Sequence, residues 1–393
     1  MGSMSVEAGN RGLVMQRDFL ASVVVFLVAL PLCLGIAIAS GVPPALGLIS
    51  GIIGGIVVGY FSGAPLQVSG PAAGLVSLIA EIIEAQGVES LGIIVLLAGV
   101  MQMATGFFHL APLFRAVSPA VIQGMLAGIG VTIFAAQFHV MVDDKPASKA
   151  LENLMNLPGA VSKGLIPMEG TSHHLAAAIG VLSIILIVVW AKLPSRFHVL
   201  PPALVAVLVS VGVAAGFHLP IQYVDIPDQF MNVIHLPSLK SLPLFTDGGI
   251  WFSACAIAFV ATAETMLSTT ALDRLHHGPR ADYDKEVIAQ GLGNTLSGIL
   301  GALPITGVIV RSTANIEAGA KTRLSAILHG IWIALLLTLF PTVLDLIPIA
   351  SLAAVLVYTG YKLIKPKVVL ELLAIGKSEV AIFMITLLVQ GQA

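Results

Sequence analysis

Two ionisable side chains stand inside apolar stretches of this sequence. Arg311 falls in 304–315, PITGVIVRSTAN, and Glu264 falls in 261–268, ATAETMLS. A charge in hydrocarbon is costly, so such a residue signals a partner or a function. Arg311 offers a fixed positive charge suited to an anion. Glu264 offers a carboxyl that takes a proton or, with Ser268 one helical turn on, binds Na+. A purely structural Glu264–Arg311 ion pair is the plain alternative. The two readings overlap, because a salt bridge that an anion disrupts is also a gating device.

The segment holding Arg311 has a counterpart at 67–77, QVSGPAAGLVS. Each begins extended, with Gly or Pro stopping a helix, and then turns helical. A helix that starts inside a membrane presents free N–H groups, and its dipole adds about half a positive charge there. Two such ends facing each other make an anion cradle built largely from backbone. Ala72, Ala73, Gly74, Val310, Arg311 and Ser312 are the candidate substrate-binding residues, and Glu264 and Ser268 the candidate coupling-ion residues. A matched pair of interrupted segments points to an inverted-repeat transporter with its site at mid-membrane. Kinks in packed helices would use the same Gly and Pro, but two such segments flanked by polar residues favour the site.

The elements that must hold these residues are membrane-spanning helices. The 393 residues are 57% hydrophobic and only 10% charged, against about 25% charged in soluble domains. Mean hydropathy is +0.99. Apolar runs long enough to cross a bilayer recur at 19–39, 45–61, 91–110, 119–141, 175–190, 201–217, 250–272, 287–303, 324–344 and 349–361. Short spans lie at 70–83 and 309–319, and a last one begins at Glu379. With the N-terminus in the cytoplasm, Arg and Lys concentrate in the inner loops. That bias holds only if both short segments count as spans. The outer segments 142–172 and 218–249 read as loops with a short helix.

Several function classes fall away. A net charge of −2 argues against a nucleic-acid partner. Cys33 and Cys255 each sit in apolar runs and suggest packing rather than a disulfide or metal. No His spacing suits zinc, no cofactor is implied, and neither paired intramembrane Asp nor a G-x-S-x-G suggests an enzyme. Arg17 and Asp18 begin the first span and read as marking the membrane interface. Gly54, Gly55 and the glycines of 124–130 read as close helix contacts.

Taken together, the motifs resemble the sulfate permease (SulP) family. They are 29–34, ALPLCL, running to SGVPP at 40–44; VSGPAA at 68–73; GMLAGIG at 124–130; Glu264; and Arg311-Ser312 followed by NIEAGAKT at 315–322. The resemblance covers nearly the whole chain. It implies an all-α polytopic membrane protein with a uracil-permease-like seven-plus-seven inverted repeat, 19–217 being the first repeat and 248–393 the second. It implies a core domain that moves against a gate domain like an elevator, and a homodimer in the cell (inner) membrane. The expected cargo is a small inorganic anion, sulfate or bicarbonate foremost, coupled to H+ or Na+. A Na+-coupled bicarbonate or dicarboxylate carrier, or an anion channel of the same fold, is the alternative. Leu32 stands where some members have Gln, and Ile309 and Arg311 stand where the Na+-bicarbonate branch has Thr. The family pattern continues into a further span and a cytoplasmic STAS domain, whereas 387–393 stops inside the last span. On this reading the second repeat is incomplete and no STAS domain is present.

Overall fold

Helices and two very short strands make up the computed structural model, in the order α1 (Gly2–Ala39), α2 (Pro44–Ile53), a π-helical turn (Gly54–Val58), α3 (Gly59–Phe61), β1 (Ser69–Pro71), a 3-10 turn (Ala73–Leu75), α4 (Val76–Gln86), α5 (Val88–Phe107), α6 (Ala111–Phe114), α7 (Pro119–Met141), α8 (Ala150–Leu165), α9 (His173–Trp190), α10 (Pro202–Gly216), a 3-10 stretch (Leu239–Thr246), α11 (Gly248–Leu275), α12 (Tyr283–Ile299), β2 (Ile305–Gly307), α13 (Ile309–Glu317), α14 (Leu324–Leu339), α15 (Pro341–Leu344), α16 (Ile349–Leu363), α17 (Lys367–Ile375) and α18 (Lys377–Gln392). The structure describes residues 2–114, 119–147, 150–166, 172–194, 200–225, 234, 236, 239–276, 278, 280–364 and 367–392.

Local sequence sets many of the helix boundaries. Pro44, Pro202 and Pro341 begin helices, where the missing N–H is not needed and φ is already helical. Asp247 accepts from the Gly249 amide at 2.7 Å and Asp282 from the Lys285 amide at 3.1 Å, capping α11 and α12. Gly87 closes α4 at φ +80° and Gly319 follows α13 at φ +91°, a region in which side chains are strained.

Five helices among the described residues are long and apolar enough to cross a membrane. Large side chains such as Phe252, Phe259, Ile185 and Leu208 lie exposed on them and on α10, as lipid-facing residues must. Two groups of helices result. One packs α1, α2, α5, α11, α12, α13 and α14 together, and the other packs α7, α9, α10, α16 and α18. Glycine lets backbones meet inside each group. A methyl at Gly291 of α12 would lie 2.6 Å from the Gly99 carbonyl oxygen of α5, and one at Gly130 of α7 would lie 2.7 Å from that of Gly360 of α16. Gly54, Gly55 and Gly124 are likewise close contacts.

Asp18 does not mark an interface. It is buried and accepts from the Lys321 and Thr322 amides and from the Thr322 hydroxyl. Its carboxylate thereby ties α1 to the turn that precedes α14. The expected helix within 142–172 is α8. The amphipathic α17, with Val368 and Leu372 buried, lies between the spans expected at 349–361 and from Glu379.

Candidate functional site

Extended backbone at membrane depth must find its hydrogen-bond partners inside the protein. β1 and β2 supply some of them to each other. They pair antiparallel with Gly70 opposite Thr306, and the Val308 amide adds a bond to the Val68 carbonyl at 3.0 Å. Side chains supply the rest. Asn294 of α12 accepts from the Ile305 amide at 2.6 Å and donates to the Ile305 carbonyl at 2.9 Å. Thr265 of α11 accepts from the Gly307 amide at 3.1 Å. Ser312 accepts from the Val68 amide at 2.9 Å and donates to the Val308 carbonyl at 2.7 Å. Asn315 donates to the Leu66 carbonyl at 3.0 Å.

Beneath β1 lies a buried carboxylate. Glu286 accepts from the Ser62 hydroxyl at 2.5 Å, the Ala64 amide at 3.1 Å, and the side-chain amides of Gln67 and Gln290, each at 2.8 Å. Gln290 also donates to the Ser69 hydroxyl at 2.6 Å, and the Gln67 carbonyl accepts from Thr269 at 2.8 Å. This net of neutral donors lets an acid sit at zero exposure and holds the first broken segment against α11 and α12.

The two broken helices start from this frame, α4 after the 3-10 turn and α13 after β2. Ala72 and Gly74 are buried and Ala73 is half-buried, whereas Val310 is 41% exposed. Gly74 is pinched between two helices. A methyl there would lie 3.0 Å from Glu264 Oε2 of α11 and 2.9 Å from Ile129 Cδ1 of α7. Only a residue without Cβ lets the carboxylate reach the start of the first broken helix. Glu264 Oε2 and the Thr306 hydroxyl are both buried without a hydrogen-bond partner, and Thr306 and the Gly74 amide are Glu264's polar neighbours. Ser268 is buried one turn away, and no hydrogen bond joins it to Glu264 among the described residues.

Arg311 occupies the most demanding position. It is fully buried, and none of its three guanidinium nitrogens has an acceptor among the described residues. Its head lies over Gly70, where a methyl would overlap it. Cys33 of α1 and His329 of α14 lie near enough to feel its charge. It makes no ion pair with Glu264. The structure therefore joins Glu264 to Gly74 and Thr306, and Arg311 to Gly70, the residue opposite Thr306 in the paired strands. Thr306, Ile129 and Glu286 were not singled out from sequence, whereas Gly70 was, as a small residue that lets an anion approach the backbone. The i, i+4, i+8 stripe of Glu286, Gln290 and Asn294 in an apolar span was the available signal for part of this set.

Comparison with known proteins assigns the family. Residues 15–386 match the model of the sulfate permease family. YvdB of Bacillus subtilis (strain 168), named for sulfate transport, is 32% identical over 93% of this chain and 67% of its own length. The bicarbonate transporter BicA of Picosynechococcus sp. (strain ATCC 27264 / PCC 7002 / PR-6) is 26% identical over 89% of this chain and 62% of its own. The chain thus spans between about half and two thirds of the length of the curated relatives it matches. The solved transmembrane domain of a cyanobacterial BicA superposes with a TM-score of 0.82 at 22% identity, covering 96% of this chain and 95% of that one. The helix arrangement here is the fold of that domain. The chain belongs to the sulfate permease family, as its motifs implied, and it is a multi-pass membrane transporter rather than an enzyme.

Proposed function

We propose that this chain carries a small inorganic anion, sulfate or bicarbonate, across the cell (inner) membrane by H+-coupled secondary transport. The observation that carries this reading is the unpartnered guanidinium of Arg311. A buried charge without a counter-charge is expensive, and an anion between the two helix ends relieves that cost. Ala72, Ala73, Gly74, Val310 and Ser312 frame the anion with backbone, and Arg311 acts on it through its field in a low-dielectric surround. Glu264 takes the proton that offsets charge during translocation. The two helix groups serve as core and gate of an elevator built from inverted repeats at 19–217 and 248–393, working as a homodimer with the N-terminus in the cytoplasm.

A second reading is favoured by one contact. Glu264 and Thr306 together present unpartnered buried oxygen atoms, a donor set suited to a hard cation such as Na+. In that reading Thr306, rather than Ser268, completes the coupling site.

The test is radiolabelled sulfate and bicarbonate uptake into proteoliposomes, with an imposed proton or Na+ gradient. Saturable uptake, accelerated by the proton gradient and abolished in Arg311→Ala, is the expected result. Glu264→Gln should transport without responding to the proton gradient. Full pH-dependent uptake by that variant would overturn the proton role. Acceleration by Na+ that Thr306→Val removes would select the second reading.

A further inference from the structure

The last turn of α7 carries an imidazole whose two nitrogens both face acceptors. His139 is only 3% exposed. Its Nδ1 lies 3.1 Å from Asp144 Oδ2 and its Nε2 lies 3.1 Å from the Asn153 carbonyl oxygen. A carbonyl oxygen has no proton to give, and neither has an ionised carboxylate. Neutral imidazole has one N–H and one lone pair, so in that form one of the two contacts opposes lone pairs. The imidazolium donates to both.

The surroundings keep Asp144 ionised. Burial pushes its carboxyl up, but hydrogen bonds from Lys163 and His139 outweigh burial and hold it below the ordinary value. Lys163 Nζ lies 2.9 Å from Asp144 Oδ1. The Asn153 side chain then clasps Ala147, accepting from its amide at 2.7 Å and donating to its carbonyl at 2.8 Å. Segment 144–147 is thereby held to α7 through His139 and to α8 through Lys163 and Asn153.

The other titratable groups at this end of the bundle leave the imidazolium in place. Asp143 takes the Ser172 hydroxyl and the Gln222 amide. Beside it on α9 are His173, whose Nδ1 meets the Val142 carbonyl, and His174. Lys145 lines the same cavity as His139, and Glu84 of α4 faces the neighbouring one. α16 brings Tyr358 and Lys362 toward the first half of α7, where Gly360 meets Gly130. α18 meets α7 at Gly124 through Phe383 and Thr386, with Glu379 a turn before that contact.

The clasp forms the wall shared by two cavities of about 400 and 570 Å³. The larger lies between α1 and α4 on one side and α7 and α16 on the other. Its inner end is at Val76, Ser77 and Ile133, about one turn past Gly74 and Ile129.

We propose that His139 is a second proton-binding site, separate from Glu264, whose bound proton latches α8 and segment 144–147 onto α7 and so shapes the vestibule above the anion cradle. Loss of the proton releases the latch. The site stands without the transport reading, and only its consequence for anion entry rests on that reading.

The experiment is hydrogen exchange of the full chain in nanodiscs, followed over 144–160 from about pH 6 to about pH 9 and corrected for intrinsic exchange. In the wild type, protection should fall about tenfold as the proton leaves, the scale of one lost charge-assisted bond in a buried site. Asp144→Asn gives His139 a donor at Nδ1, so neutral imidazole satisfies both neighbours and protection should stay level with pH. His139→Phe should be poorly protected throughout. Glu264→Gln should keep the wild-type profile over 144–160 whatever happens to uptake, which separates this site from the coupling proposal. A level wild-type profile, or an Asp144→Asn profile that falls like the wild type, would overturn the latch. If His139→Phe fails to fold, the Asp144→Asn comparison still decides.

Discussion

At the scale of single residues, the cradle depends on glycines as much as on charges. Arg311 can lie buried over β1 only because Gly70 has no side chain there. Gly70→Ala keeps every charge yet displaces the guanidinium. We expect it to weaken anion binding in the same direction as Arg311→Ala, for which the loss should be roughly 10- to 100-fold, the range for losing a charged hydrogen-bond partner. Anion titration of the purified variants by calorimetry measures both. If Gly70→Ala bound like the wild type, the packing of Arg311 on Gly70 would not matter to the site. Gly74→Val is expected to remove transport with the fold kept, since its branches would push into both Glu264 and Ile129. Uptake together with thermal melting separates those outcomes.

Among the elements, the paired strands hold the argument together. Their backbone polar groups are satisfied by Asn294, Thr265, Ser312 and Asn315, and Glu286 braces the chain leading into β1. Replacing Glu286 by Ala strands one side-chain N–H each of Gln67 and Gln290, each costing about 1–3 kcal/mol if left unpaired, while Ser62 and Ala64 keep their bonds to each other. We expect a marked drop in the thermal midpoint of Glu286→Ala, with a smaller one for Glu286→Gln, which keeps one acceptor oxygen. Equal melting of wild type and Glu286→Ala would show that the net carries no weight. The α7–α8 contact has its own pH limits. Asp144 is depressed in the folded state, so its stabilising share is complete above the ordinary value of 3.8 and is lost as pH falls from there through the lower folded value. Protection of α8, followed by hydrogen exchange, should therefore decline as pH falls below that ordinary value.

For the whole molecule, the question is whether one helix group moves against the other. They meet where Gly35 of α1 packs on Leu356 of α16, a methyl at Gly35 falling 3.3 Å from Leu356 Cγ, and where Ile129 covers Gly74. An elevator must slide these surfaces past each other, whereas a channel need not. Gly35→Cys combined with Leu356→Cys should form a disulfide under oxidant, since a side chain begun at Gly35 meets the Leu356 side chain directly. Transport should then stop and return with reductant. Unchanged uptake in the cross-linked protein would exclude relative sliding at this interface.

Much of this was legible in the sequence because membrane physics is written in composition. Lipid permits only helices, or backbone satisfied within the protein, so apolar runs, their Gly and Pro interruptions and the two charges within them located the spans, both broken segments, Arg311 and Glu264 directly. What each charge touches was not legible, because distant spans decide it. The β1–β2 register set Gly70 against Thr306, α11 carried Glu264 to Gly74, and α12 brought Glu286 under Gln67. His139 gave no signal near the end of its apolar span, since its meaning comes from two acceptors that α8 and the turn after α7 place on either side of one ring. The sequence alone determined which residues had to be in the membrane, and the tertiary structure decided their partners, because a hydrogen bond or packing contact between spans depends on the arrangement of all the helices and not on spacing within one.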